Sequence, residues 1–391
     1  MITVEQAIHI VDSNSRRLNK KKRVSLLEAS GYVLAEDVIS PIDMPPFRQS
    51  AMDGYAVCIH DSEYYHVKGE LQAGDGQDFT LQQGDAVRIF TGAPVPNDAN
   101  AVVIQEKTTV KEQELQVHDE VTLQSNIRPK GEQIQKGENA LTKGTVLTPA
   151  AIGFLTTLGI TEVSVYTKPS IGIIATGNEL AEAGNELKHG QIYESNSLML
   201  LTALASLGYQ DNEIYKVPDN FNATRNILEE VITAKDLVLI TGGISVGDYD
   251  FVGKAIKELE VAQLFYKVKQ KPGKPLFFGK KKDTYVFALP GNPAAALSCF
   301  YVYVQRCLKL LSGGKDAEPL SVNAVSLSAF NSKGDRAQFL KAFVDKGVVK
   351  ILEGQSSAML NTFAVANALL YLPETTKNIQ IGDSVSLILI P

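Results

Sequence analysis

Residues 169–311 alternate short apolar runs with segments of helical periodicity, and this alternation limits the possible fold more than any other feature of the chain. Three of the runs lie at 171–175, 236–240 and 285–289. Because they lack polar alternation, they predict strands that are buried on both faces of a sheet. The helices predicted between and after them lie at 196–207, 224–234, 250–259 and 293–311. The region therefore predicts a doubly wound α/β domain with a mostly parallel sheet.

The first forty residues predict two helices. Thr3 is suited to cap the first helix, and Gln6 stands three residues further on, as in a capping box. Residues 26–37 have the composition of a second helix. Prolines follow that segment and end the helical pattern.

Two further regions have sequence patterns that are typical of β structure. Between residues 53 and 124, short alternating runs are separated by Gly, Asp and Pro, which predicts a small all-β domain. After residue 314 the alternation returns and predicts a second β domain. Between these regions, Thr148 followed by Pro149 predicts a helix that ends near Gly159.

The overall charge disfavours one class of function and leaves another open. The chain has 391 residues, with 38 Lys and Arg against 44 Asp and Glu and a net charge of −6. This balance argues against a general nucleic-acid binder, although a local group of lysines would still suit a small anionic ligand. We find no signal-peptide pattern and no apolar stretch of the ~18 residues that a membrane span needs, so we expect a cytoplasmic protein.

The loops after the buried strands are the places where an open α/β sheet binds ligands. They lie at 175–179, 241–250 and 289–293. The last two place glycines before a helix, where close backbone approach, free N–H groups and the helix dipole favour an anion. Several such loops at one sheet edge predict phosphate binding, with ordinary turn chemistry as the alternative.

Residues 267–274 contain four lysines. Lys271 and Lys274 flank a Pro-Gly turn, which would direct both ammonium groups to one side. Such a pair suits a clamp on phosphates or on an oxyanion. The lysines of residues 280–283 are instead predicted to form the solvated tip of a hairpin.

Four carboxylates accompany the loops, namely Glu179, Asp219, Asp248 and Asp250. Oxygen ligands suit Mg²⁺, which proteins usually hold with one or two carboxylates and the phosphates of a substrate. Asp248 is equally suited to cap its helix, whereas Asp250 is freer to face a ligand. The five scattered histidines and three cysteines predict neither a metal site of their own nor a covalent acyl mechanism.

The chain also carries a series of motifs in the order in which the molybdopterin molybdenumtransferase family has them. The earlier motifs are PFRQSAMDGYA at 46–56, TGAPVP at 91–96, AVVIQE at 101–106, TGNE at 176–179 and GQIYESN at 190–196. The later motifs are VPD at 217–219, GGISVGDYD at 242–250, KPGKP at 271–275, LPGNP at 289–293, RAQF at 336–339, GQSSAML at 354–360 and ANAL at 366–369. The chain therefore resembles this family from its first helix to its C-terminus.

The resemblance implies a reaction and an organisation. In that family, molybdate is inserted into adenylylated molybdopterin with release of AMP, a divalent cation, Mg²⁺ by preference, is required, and the subunits form homodimers. The family's four domains would be a discontinuous linker domain at 1–45 and 125–168, an inserted small β domain at 46–124, a molybdopterin-binding α/β domain at 169–313 and a C-terminal β domain at 314–391. Because the substrate supplies the dithiolene, no cysteine pair is required.

The resemblance also implies roles for individual residues. The catalytic set would be Asp250, Lys271, Lys274 and Asp53. The substrate would be bound by Thr91, Thr176, Gly177, Glu179, Gly242, Gly243, Ser245, Gly247, Pro290, Gly291, Asn292 and Pro293. Molybdate would be bound by Arg336 with Ser356 or Ser357, and the cation by Glu179, Asp219 and Asp250. Asp53 and Thr91 belong to the small β domain, which in the family covers the site of the other subunit.

Two other functions remain open on the sequence. A scaffold that binds partner proteins, as gephyrin also does, would use the same fold. A molybdopterin adenylyltransferase would share the central domain without the flanking ones. The partners that the resemblance implies are this adenylyltransferase and the molybdoenzymes that accept the cofactor, and we expect no nucleic acid and no membrane. The sequence leaves the choice between molybdate and tungstate open.

Overall fold

A computed structural model describes residues 1–243, 251–315, 317–332 and 334–391. The chain divides into two compact units, one of residues 1–22, 31–33 and 166–391 and the other of residues 23–30 and 34–165. The predicted site residues Ser245, Gly247, Asp248 and Asp250 lie outside the described residues. The finer division into four domains stays a prediction.

The first unit contains a six-stranded sheet that is mostly parallel. In spatial order its strands are Asn212–Val217, Ile171–Thr176, Leu237–Thr241, Thr284–Leu289, Phe277–Lys281 and Ala262–Tyr266. The first four are parallel to one another, and the last two are antiparallel to their neighbours. The predicted mostly parallel sheet is confirmed. Residues 280–283 form the hairpin tip, with Lys281 paired to Thr284.

The central strands are apolar throughout because successive residues face two different cores. Leu237 and Leu239 belong to one core, and Val238 and Ile240 belong to the other. The helices on the first face are Val4–Asn14, Asn196–Ser206 and Pro293–Cys299, and those on the second are Phe221–Ala234 and Phe251–Glu258. Helices cover both faces, so the doubly wound arrangement is confirmed.

Capping residues set the helix boundaries. Thr3 and Gln6 form a reciprocal capping box at the first helix, and Thr148 caps the helix Pro149–Thr157, both as predicted.

The helical run that starts at Pro293 consists of Pro293–Cys299, the π-helical turn Phe300–Val304 and Gln305–Leu311. The shorter helices are Gln105–Lys107, a 3-10 turn, and Leu360–Phe363. None of the described helices has the length and hydropathy that spanning a membrane requires.

Five strands after residue 320 close into a barrel. They are Ser321–Ser326, Ala337–Asp345, Val348–Ile351, Ala368–Leu372 and Ser384–Leu389. Closure comes from the antiparallel pairing of Ala337–Asp345 with Ala368–Leu372. The two-residue strand Gln270–Lys271 pairs in parallel with the start of Ala337–Asp345. The turn of residues 271–274, called the lysine turn below, therefore lies beside Arg336. The sequence predicted β structure here but not the closure.

The second unit is centred on another six-stranded sheet, within the span predicted to be all-β. In spatial order its strands are Ala101–Ile104, Gly54–Val57, Asp85–Ile89, Tyr64–Leu71, Glu114–Val117 and Thr108–Lys111. The remaining strands of the described chain are Lys21–Ser25, Val38–Ile39, Gln49–Ser50, Ile127–Arg128, Asn139–Leu141, Glu162–Tyr166, Leu180–Ala181, Ile192–Tyr193, Phe330–Asn331 and Asn378–Ile379.

The second helix predicted over residues 26–37 is wrong. Lys21–Ser25 is a strand, and the residues that follow form turns and isolated bridges. Gly31 takes a φ of 73°, which no right-handed helix contains. The fully buried Leu34 donates its backbone N–H to the Thr145 carbonyl oxygen at 2.9 Å. Pairing with a distant segment therefore overrides the local helical composition.

Candidate functional site

A cavity of about 570 Å³ opens at the carboxyl edge of the parallel strands in the first unit. Thr176 and Thr241 are the last residues of two of these strands, and Pro290 follows the end of a third. This is the edge at which open α/β sheets bind ligands. The other lining residues are Glu179, Leu180, Ile192, Glu194, Asn196, Gly242, Lys271, Pro272, Gly273, Lys274, Pro275, Gly291, Asn292, Ala295, Arg336, Gln355 and Ser357.

Bare backbone forms one wall of the cavity. Gly242 has a φ of 85°, and a Cβ atom on it would lie 2.3 Å from the Thr176 carbonyl oxygen. A Cβ on Gly291 would meet the Cα of Gly242 at 3.8 Å, so the two glycine loops lie side by side. Gly243, with a φ of 63°, leaves no room for a side chain beside Val252. Glycine is therefore required here for the loops to approach each other and a ligand.

The lysine turn is fixed from inside by a buried glutamine. Gln270 is fully buried, its amide Nε2 donates to the Gly273 carbonyl oxygen at 3.1 Å, and its Oε1 accepts from the Tyr303 hydroxyl. Gly273 is buried at a φ of 83°. Lys271 and Lys274 are exposed on the cavity wall, and neither ammonium group has a partner among the described residues. Both charges are therefore available to an anionic ligand.

The barrel contributes a third cation and a serine. Arg336 donates from a guanidinium nitrogen to the Gln270 carbonyl oxygen at 3.4 Å and lines the cavity. The Ser357 hydroxyl accepts from the Asn292 amide at 2.8 Å, and its carbonyl accepts from the backbone N–H of Ala295. The sequence predicted that Ser356 or Ser357 acts with Arg336, and of these two serines Ser357 lines the cavity. Ser356 does not line it.

The carboxylates predicted near the phosphates have different surroundings. Glu179 lines the cavity, and in the described part of the chain no side chain donates to its carboxylate. Asp219 does not line the cavity: its carboxylate accepts from the Thr176 hydroxyl at 2.7 Å and from the backbone N–H of Asn178 at 3.4 Å. Asp219 therefore anchors the loop that carries Glu179.

The predicted cation set lies only partly within the described residues. Over the described ranges, no group of three His, Cys, Asp or Glu side chains is close enough to hold a metal ion. The third predicted acid, Asp250, lies outside those ranges. The assignment of Glu179, Asp219 and Asp250 to a cation thus stays a prediction.

The remaining predicted residues have structural surroundings of their own. Gly177 lies in the loop after Thr176, where an added Cβ would be 2.7 Å from a Glu179 carboxylate oxygen, and Pro293 is the first residue of its helix. Asp53 and Thr91 contact each other in the second unit. The Asp53 carboxylate accepts from both the backbone N–H and the hydroxyl of Thr91 at 2.7 Å, and these bonds lower the pKa of Asp53.

Several residues of the site were missed from the sequence. Asn196 donates from its amide to the Thr241 hydroxyl at 2.7 Å and to the Gly291 carbonyl oxygen at 2.8 Å, while its own amide oxygen is buried and has no partner among the residues that the structure describes. Glu194 caps the following helix through Ser197. Both lie in the GQIYESN motif, which was the available signal, but no chemical argument gave either residue a role.

Family models match three successive parts of the chain. The model described as "MoeA N-terminal region (domain I and II)" matches residues 2–159. The model described as "Probable molybdopterin binding domain" matches residues 172–309, and "MoeA C-terminal region (domain IV)" matches residues 323–390. Together they span nearly the whole chain.

Relatives match over the same length. A molybdopterin molybdenumtransferase of Haemophilus influenzae is 34% identical over 398 residues, which cover 99% of this chain and 98% of the relative. One of Staphylococcus epidermidis is 32% identical and covers 99% and 95%, respectively. Among solved structures, the molybdopterin biosynthesis moeA protein from Pyrococcus horikoshii OT3 matches with a TM-score of 0.87 at 30% identity, with both chains covered completely.

Proposed function

The chain belongs to the molybdopterin molybdenumtransferase family, and from this premise we propose that it transfers molybdenum from molybdate to adenylylated molybdopterin, with release of AMP. It is a transferase of molybdenum cofactor biosynthesis. The observation that carries the substrate assignment is the single cavity where two glycine loops, the lysine turn and the barrel residues Arg336 and Ser357 meet.

The charges of this cavity suit two anions at once. Lys271, Lys274 and Arg336 are the cations on its wall, and the bare backbone of the glycine loops admits a phosphate closely. The substrate brings an anionic phosphoanhydride and molybdate is a second anion, so their approach requires neutralisation of negative charge. We assign the glycine loops and Lys271 to the adenylylated pterin, and Lys274, Arg336 and Ser357 to the oxyanion.

Mg²⁺ fits the oxygen donors on this wall. Glu179 presents a carboxylate that no described side chain neutralises, and one carboxylate with substrate phosphates is a usual magnesium environment. When bound, the cation would offset phosphate charge. Asp219 would act through the Thr176 loop by holding Glu179 in place. Asp250 is proposed as a further catalytic carboxylate on the resemblance alone.

We extend the proposal to assembly and location. The exposed Asp53 carboxylate, held by Thr91, suits a residue that completes the site of a second copy, as the family resemblance implies. The active unit would then be a cytoplasmic homodimer. It would receive its substrate from a molybdopterin adenylyltransferase and deliver its product to molybdoenzymes.

Turnover separates this function from its alternatives. The chain is incubated with adenylylated molybdopterin, Mg²⁺ and molybdate, and AMP and active cofactor are measured together. A parallel incubation contains ATP and molybdopterin only. We expect both products in the first reaction and none in the second. Formation of the AMP ester in the second reaction would instead identify an adenylyltransferase, and binding without turnover in the first would identify a scaffold.

A further inference from the structure

Lys341 is a buried cation next to the cavity wall that the proposed reaction does not use. It lies on the barrel strand Ala337–Asp345 and is 4% exposed. Its ammonium donates to the carbonyl oxygens of Gly354, Met359 and Ser356 at 2.7, 3.0 and 3.1 Å. Across the described ranges it forms no ion pair with a carboxylate. Burial lowers the pKa of Lys341.

The backbone of Lys341 is bound by the same segment. Gln355 accepts the Lys341 backbone N–H at 3.0 Å and donates its amide to the Lys341 carbonyl oxygen at 2.8 Å. The same amide donates to the Leu352 carbonyl oxygen at 2.7 Å. Residues 354–359 are therefore wrapped around one lysine. A buried ammonium is costly unless its hydrogen bonds are made, so its retention calls for an explanation.

The three carbonyl contacts determine which way the peptide groups face. In a trans peptide the C=O and N–H bonds point in opposite directions. Because the Gly354 and Ser356 carbonyls point at the ammonium, the N–H groups of Gln355 and Ser357 point away from it. Neither N–H group has an acceptor in the described structure, and both residues line the cavity.

We propose that Lys341 is a positioning residue that holds the N–H groups of Gln355 and Ser357 as donors to a tetrahedral metal oxyanion. Backbone N–H groups that are held toward one point form a recognised type of anion site. Without the ammonium, the carbonyl groups are free to rotate toward the cavity and repel the oxyanion. The Ser357 hydroxyl also accepts from the amide of Asn292, which precedes the helix Pro293–Cys299. Ser357 is therefore fixed by Asn292 at its side chain and by Lys341 through the preceding peptide group. The inference rests on the proposed function.

Two readouts on the full-length chain test this role. The first is equilibrium dialysis of molybdate without the pterin substrate, and the second is the KM for each substrate. Lys341→Met should raise the molybdate Kd and KM by about ten- to a hundredfold, the usual effect of losing charge-assisted hydrogen bonds. The KM for adenylylated molybdopterin should stay the same. Lys341→Arg should recover most of the affinity, and Lys350→Met, an exposed lysine of the same barrel, should change nothing.

The outcomes separate this inference from the proposed function. If the unaltered chain neither binds molybdate nor releases AMP, the proposed function fails. If the unaltered chain does both and folded Lys341→Met binds molybdate equally well, only the positioning role fails. If Lys341→Met does not fold, the test moves to Lys341→Gln, which removes the charge and keeps one amide group as a donor to the surrounding carbonyl oxygens. Unchanged molybdate affinity in that variant would also overturn the inference.

Discussion

Gly242 offers the sharpest test of the backbone wall. Replacing it with Ala adds one methyl group 2.3 Å from the Thr176 carbonyl oxygen, which is backbone and cannot turn aside. The φ of 85° at this position is also unfavourable for any residue with a Cβ. Both effects act at the carboxyl edge of the central sheet, where Gly242 and Thr176 line the cavity.

The two effects can be estimated separately. The left-handed backbone costs an L-residue roughly 1–2 kcal/mol. Relieving the overlap adds about 1–3 kcal/mol, as for other overpacked sites. Gly242→Ala should therefore lower the free energy of unfolding by about 2–5 kcal/mol. A loop shift of about 1 Å at a reacting centre also reduces turnover by about a hundredfold.

Gly382→Ala is the matched control. Gly382 has a φ of 97°, and a Cβ there would meet nothing within 4 Å, so only the backbone cost applies. Because the chain has no tryptophan, urea unfolding is followed by far-UV circular dichroism. We expect Gly242→Ala to lose about 1–3 kcal/mol more than the control and to lose AMP release, which the control keeps. Equal losses of stability, or normal AMP release in Gly242→Ala, would refute the close approach.

Three further changes test other parts of the account. Lys274→Ala should weaken oxyanion or substrate handling by about ten- to a hundredfold in steady-state kinetics, and unchanged kinetics in the folded variant would contradict the clamp. Burial tends to raise the pKa of Asp236, but the Lys20 ammonium and further hydrogen bonds lower it overall. A carboxyl group whose pKa is lowered by folding stabilises the fold when the pH is above its unfolded-state pKa. This stabilisation is lost as the pH falls through the folded-state pKa. Asp236→Asn should thus flatten the fall in stability below about pH 4, and an unchanged pH profile would count against this pairing. Mixed dimers of inactive Asp53→Ala and Asp250→Ala chains should recover activity, whereas inactive verified heterodimers would argue against a shared site.

The central domain was predictable because its signals are local. Each buried strand is an apolar run, and caps such as Thr148 mark helix starts within a few residues of sequence. The barrel was predictable only as β structure. Its closure depends on pairing Ala337–Asp345 with Ala368–Leu372, and nothing in the alternation of either strand specifies that partner. The helix at residues 26–37 was wrongly predicted for the same reason, because backbone groups of this segment form hydrogen bonds with the distant strand Glu162–Tyr166.

The residues of the candidate site also divide into those that local sequence patterns reveal and those that depend on distant contacts. Lys271 and Lys274 were found because the Pro-Gly turn between them is visible in the sequence. The sequence did not distinguish Ser356 from Ser357 as the serine that acts with Arg336. In the structure the Ser356 carbonyl oxygen accepts from the Lys341 ammonium, and Ser357 lines the cavity. Asp219 was predicted as a cation ligand because its charge suits one. Its hydrogen bond from Thr176 comes from a residue 43 positions away and could not be anticipated.

The central claim is that one cavity joins molybdate use to release of AMP. Its most direct measurement is the yield of AMP and of active molybdenum cofactor from adenylylated molybdopterin and Mg²⁺ as the molybdate concentration is raised. We predict that the two products rise together in equal amounts, and that Lys274→Ala shifts both curves to higher molybdate while the hairpin-tip variant Lys281→Ala shifts neither. AMP released without cofactor at every molybdate concentration, or cofactor formed equally well by Lys274→Ala, would contradict the account.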